Sequence, residues 1–230
     1  MTGSEKDQPR QPVTGHRLRT PPSAALAGIA FAAITFVAMV LLQTSLPDDP
    51  PTNAGWLTEH EGQVLVAVTL VPFAVIAFLW FIGVLRDLLG RREDQFFGTV
   101  FLGSGLLFLG ALLVWISAVA AALAGSNASP TDFAESNAYV YAGSWIVVMD
   151  VVALRMAGVF MFSAATMWLR TEALPRWLVI ITYVGAIALL LAGPSLRWAR
   201  GALPMWVLIV SVMILIAHRR ARAANRHADA

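Results

Sequence analysis

The chain has 230 residues, 58% of them hydrophobic and 13% charged, with a mean hydropathy of +0.69 and a formal net charge of +2. Soluble domains carry about 25% charged residues, so this apolar excess is more than a soluble core absorbs and points to lipid. There is no cysteine, which excludes disulfides, thiolate metal sites and cysteine nucleophiles.

Residues 1–22 are polar, rich in Pro, Thr and Gln, and without apolar periodicity. This predicts a disordered tail. It is too long and too mixed in charge for a signal-peptide n-region, and no cleavage is expected. Six continuously apolar stretches follow, at 23–45, 64–85, 97–124, 144–169, 177–193 and 203–218. Most meet the ~17–25 residues a membrane helix needs; the last two fall at or below the short end, and the third is long enough to tilt. They show no dyad alternation, which excludes barrel strands. The expected fold is therefore all-α: one bundle over 23–218 with six transmembrane helices, followed by a basic tail at 219–230. Pro72 in the second stretch predicts a kink.

Arginine is sorted to one side of these stretches. The N-terminal tail carries Lys6, Arg10, Arg17 and Arg19; the 86–96 loop Arg86, Arg91 and Arg92; the 170–176 loop Arg170 and Arg176; the C-terminal tail Arg219, Arg220, Arg222 and Arg226. The opposite loops hold only Arg197 and Arg200, together with the acids Asp48, Asp49, Glu59, Glu61, Asp132 and Glu135. By the positive-inside rule both termini are expected in the cytoplasm. Topology explains these charges, so no nucleic-acid partner is implied. Lys6 is the only lysine and alanine is abundant, a composition that suggests a GC-rich bacterial source. The expected location is a bacterial cytoplasmic (inner) membrane. The tail from His218 to Arg226 is placed to lie on anionic headgroups, and the 86–96 loop to pair with the 170–176 loop or dock a partner.

Trp56, Trp145, Trp168, Trp177, Trp198 and Trp206 fall near stretch ends, where indoles anchor at the headgroup level. Small residues suggest where helices meet. Gly103, Gly110 and Ser117 recur every seven residues in the third stretch, and Ala24, Gly28 and Ala32 every four in the first. Such stripes let backbones approach, within the bundle or in an oligomer or partner interface.

Three runs carry a resemblance: FLWFIGVLRDLLGRREDQFFGTVFLGSGLLF at 78–108, RMAGVFMFSAATMWLRTEALPRWL at 155–178 and LPMWVLIVSVMIL at 203–215. Together they resemble a family of uncharacterised bacterial, mainly actinobacterial, integral membrane proteins. The resemblance implies a six-helix membrane protein and brings no established activity and no catalytic residues. Arg155 opens one of the shared runs, which favours a role for it in the fold.

Chemistry is concentrated in the fourth stretch. Asp150 and Arg155 are the only charged residues within the spans. Arg155 lies roughly eleven residues, or ~16 Å, below the outer end of its stretch, too deep to reach water comfortably. A charge at that depth costs at least ~2.5–3.5 kcal/mol, so it needs a partner or a wet cavity, and Asp150 is the candidate. An i,i+5 pair is separated by about 140° around a helix, whereas i,i+4 would align it. Pairing thus requires a widened helix or a shared polar pocket. The pair is read either as structural, as part of a solute or proton pathway, or as a contact with a partner or lipid.

Other chemistries find no support. His16, His60, His218 and His227 do not pair within the spans, which argues against a bis-histidine haem. There is no HExxH motif, and Ser104, Ser117, Ser163 and Ser211 have no activating His or Lys at membrane depth. No nucleotide fingerprint is present, and no cofactor or metal is expected. The favoured reading is a small-solute or ion transporter or channel with its polar site at Asp150 and Arg155. The rival is an accessory or scaffolding subunit of a larger membrane complex; an enzyme ranks third.

Overall fold

A computed structural model describes residues 21–45, 59–89, 95–128, 137–171, 175–191 and 197–228. Among them every regular element is helical: α1 (Pro21–Ser45), α2 (Glu61–Leu89), α3 (Gln95–Ala128), α4 (Asn137–Thr171), α5 (Arg176–Leu191), a 3-10 turn (Arg197–Gly201) and α6 (Ala202–Ala228). The expected tail at 1–22 lies outside the described residues except for its last two prolines. Those open α1, a position where a missing N–H costs nothing. α2 runs as one helix through Pro72, and α6 continues as helix through most of the expected tail at 219–230.

Five helices are long and apolar enough to cross a membrane. The protein is a multi-pass helical membrane protein. The sixth, α5, has 16 residues and is about 24 Å long, short of a hydrocarbon core of about 30 Å.

α1 packs along α2 and α6, α3 along α4, and α4 along α5. The short α5 matters for everything that follows. Gly158 of α4 faces the Ala186 carbonyl and the Leu190 side chain near the C-terminus of α5. The end of α5 therefore lies at membrane depth, while α4 extends beyond that level by some 20 residues, or about 30 Å. One half of the bundle has six helices and the other has four.

The core reflects this division. The six-helix half is filled by aromatic rings: Phe78 touches Phe31, Phe108 and Phe160 at centroid distances of 4.6, 5.3 and 5.3 Å, and Phe101 stacks on Phe160 at 4.5 Å. Trp168 and Trp206 extend the cluster, stacked at 5.4 Å. Both are buried, so they are core residues where headgroup anchors were expected; Trp145 and Trp177 do face outward. Trp206 is also fixed by its Nε1 donating to Thr182 Oγ1 of α5 at 2.9 Å. The four-helix half is built from smaller side chains, among them Ala38, Leu42, Val64, Ala67, Val119, Ala122 and Ile146. It is tied at its end by Ser45 donating to Gln63 and Asn127 donating to Glu61, at 2.8 and 2.9 Å.

The glycine stripe of α3 makes no close contact within the described chain, which leaves only the oligomer or partner alternative for it. A Cβ at Gly103 or Gly110 would meet nothing within 4 Å, and Gly110 and Ser117 are exposed. The packing glycine of α3 is Gly105, two residues on, where a Cβ would come within 2.8 Å of Ile82 and 3.2 Å of Phe160. Two residues turn a helix by about 200°, so Gly103 faces away from the neighbours that Gly105 meets. Gly28 does pack, against Ser211 and Phe81, where α1 meets α6; Ala32 is buried below it.

Candidate functional site

The site grows from one face of α4. Asp150, Ala153, Leu154 and Ala157 recur at i, i+3, i+4 and i+7, the spacing of a single helical stripe. Opposite them stand Phe31, Thr35, Ala38, Met39, Leu42 and Gln43 of α1, Val71 and Ala74 of α2, and Phe108, Leu112 and Trp115 of α3. Alanines face one another here from three helices. They leave a partly open cavity of about 110 Å³ at the seam between the aromatic half and the small-residue half.

The 3-10 turn and the start of α6 close one side of it. Arg200, Leu203 and Pro204 line the cavity. Arg200 Nε donates to both carboxylate oxygens of Asp150 at 3.1 Å. The Asp150 side chain is 11% exposed and that of Arg200 30%, so the carboxylate is the deeper partner and the guanidinium the more open one. Burying a carboxylate costs several kcal/mol unless it is paired and hydrogen-bonded, and Arg200 supplies both.

The structure does not bring Asp150 and Arg155 together. Asp150 is buried on the inward face of α4, and Arg155 is exposed on the outward face. α4 stays a regular helix, so the 140° offset of an i,i+5 pair is not overcome. Arg155 makes no hydrogen bond or ion pair with any described residue.

Sequence reasoning missed three groups. The succession of apolar stretches places Arg200 in a loop on the far side of the membrane. The available signal was its oddity: with Arg197 it breaks an otherwise clean sorting of basic residues. The other two are uncharged. Thr35 Oγ1 and Trp115 Nε1, on residues lining the cavity, are buried and have no hydrogen-bond partner. An unpaired buried donor costs about 1–3 kcal/mol, so each marks a place where a ligand's acceptor would be welcome. The terminal nitrogens of Arg200 likewise bond no described residue, because its Nε alone holds Asp150. The cavity thus combines apolar walls with spare donors.

Below the cavity the aromatic cluster around Phe78 closes the bundle. No group of His, Asp or Glu suited to hold a metal ion occurs among the described residues. Comparison with known protein families, curated proteins and solved structures finds no match.

Proposed function

We propose that this protein is a small-solute transporter of a bacterial cytoplasmic membrane, with both termini in the cytoplasm. Its solute occupies the cavity beside Asp150 and Arg200. The orientation rests on the sorting of Lys and Arg. One observation carries the functional reading: a partly open, apolar-walled cavity at membrane depth with an ion pair on its wall and unpaired donors around it. Its volume of about 110 Å³ is somewhat smaller than the ~150 Å³ of a cavity that accepts benzene. A compact solute fits, with a branched apolar body of a few carbons and a hydrogen-bond acceptor at one end. The donors of Arg200, Trp115 and Thr35 favour a carboxylate or carbonyl over an ammonium group. The aromatic floor favours a carrier that must rearrange over an open channel.

Heat stability of the purified protein in mild detergent tests this. Isobutyrate and isobutyramide should raise the melting temperature and isobutylammonium should not. The shift should vanish in Arg200→Gln and persist in Arg155→Gln. Equal effects of all three compounds, or none, would remove the solute site. Counterflow of the bound compound in vesicles then separates transport from binding alone.

The accessory-subunit reading is favoured by a different observation, the outward position of Arg155.

A further inference from the structure

Arg155 is misplaced for a protein that works alone. It lies ten residues below Trp145 and fifteen above Arg170, about 15 and 22 Å along α4. Both of those side chains are exposed, as expected of residues at the two membrane boundaries. Arg155 therefore sits near the middle of the hydrocarbon layer. It is on an exposed ridge whose members recur every seven residues: Tyr141, Val148, Arg155, Phe162 and Leu169. Every neighbour on that ridge is apolar or aromatic. A guanidinium there has neither water nor a described partner, the situation that membrane proteins resolve by pairing.

We infer that this ridge docks a transmembrane helix of a different protein, and that the helix carries a carboxylate at mid-membrane depth opposite Arg155. Charge complementarity identifies the occupant. A second copy of this chain does not supply the carboxylate: among the described residues at membrane depth it offers only Asp150, which is buried and held by Arg200. Two copies meeting on their ridges would also set like charges against each other. Lipid phosphates lie beyond the hydrocarbon boundary, about 15 Å from its midplane, farther than the side chain extends. The partner's apolar residues would pack against Val148 and Phe162, which excludes lipid from the pair and strengthens it.

The test uses the full-length protein in phosphatidylcholine vesicles and dye-labelled transmembrane peptides of about 24 Leu and Ala residues with one central residue varied. Energy transfer should show the glutamate-centred peptide binding wild type at least about tenfold tighter than the glutamine-centred one. Arg155→Gln should abolish that preference, and Arg155→Glu should transfer it to a lysine-centred peptide. Without peptide, Arg155→Leu should be at least as heat-stable as wild type, because it removes an unpaired charge. Equal binding of the glutamate and glutamine peptides by wild type would overturn the proposal. So would a loss of stability in Arg155→Leu, which would reveal a partner within the chain. Self-association that disappears in Arg155→Gln would assign the ridge to a second copy, and Arg155-dependent enrichment of added phosphatidylglycerol would assign it to lipid headgroups.

Discussion

Two arginines among the described residues lie at membrane depth, and their surroundings are opposite. Arg200 stands in the 3-10 turn that precedes α6, inside the bundle, with both oxygens of Asp150 on its Nε. Arg155 stands on the outer ridge of α4 with no described partner. Asp150 and Arg155 are only five residues apart on one helix, yet the residue that neutralises Asp150 comes from 50 positions away. Position around a helix decides pairing more than distance along it. The lesson extends to function: one face of α4 organises a cavity, and the other presents a charge to whatever lies outside.

The comparison is broken most forcefully by deleting one member of the inner pair. Asp150→Asn or Arg200→Gln should each destabilise the protein by about 3 kcal/mol, toward the lower end for removing one partner of a buried pair because Arg200 is partly exposed. Denaturation in one detergent measures this. Losses below about 0.5 kcal/mol would mean that solvent already satisfies both groups.

Helix packing offers the next contrast. Gly158→Leu should cost about 1–3 kcal/mol by overpacking, because a side chain there runs into the Ala186 carbonyl, which cannot rotate away. Gly110→Ala on the open face should be neutral or stabilising by up to ~1 kcal/mol, since alanine is the better helix former and meets nothing. Equal losses at the two sites would place the α3 stripe in an interface after all.

A smaller effect is expected where α5 meets α6. Trp206→Phe keeps the ring but removes the donor to Thr182, and should cost about 1 kcal/mol. Thr182 Oγ1 still donates to the Leu178 carbonyl, so no polar group there is left wholly unpaired. Thermal melts would show a shift of a few degrees; a collapse of folded yield would mean that this bond holds α5 against α6.

Much of the fold was legible in the sequence because hydrocarbon imposes a simple rule: each apolar stretch long enough to cross lipid becomes a helix. Five of the six stretches fall wholly within one helix, and the fifth, 177–193, does so up to Leu191, the last described residue of α5. The ends differ because caps and loops answer to water and local turns, which hydropathy does not register. The site was half legible. Asp150 was identified because a carboxylate among apolar residues needs a partner; the partner was not, for a reason specific to α5. Counting stretches assumes that each one crosses, which puts Arg200 in an outer loop. α5 is too short to cross, and its end is level with Gly158. That depth follows from packing between α4 and α5, which no hydropathy window contains. The glycine stripe of α3 was half legible for a related reason. Spacing shows that Gly103 and Gly110 share a face, but not which way that face points.

A double-mutant cycle run twice on Asp150 tests the central claim, once with Arg200 and once with Arg155. Unfolding free energies of Asp150→Asn, each arginine→Gln and each double mutant would be compared in the same detergent. The account predicts a coupling energy of about 1–3 kcal/mol with Arg200 and additivity within about 0.5 kcal/mol with Arg155. Strong coupling to Arg155 together with additivity to Arg200 would contradict it, and would return the membrane charges to a single pair within α4.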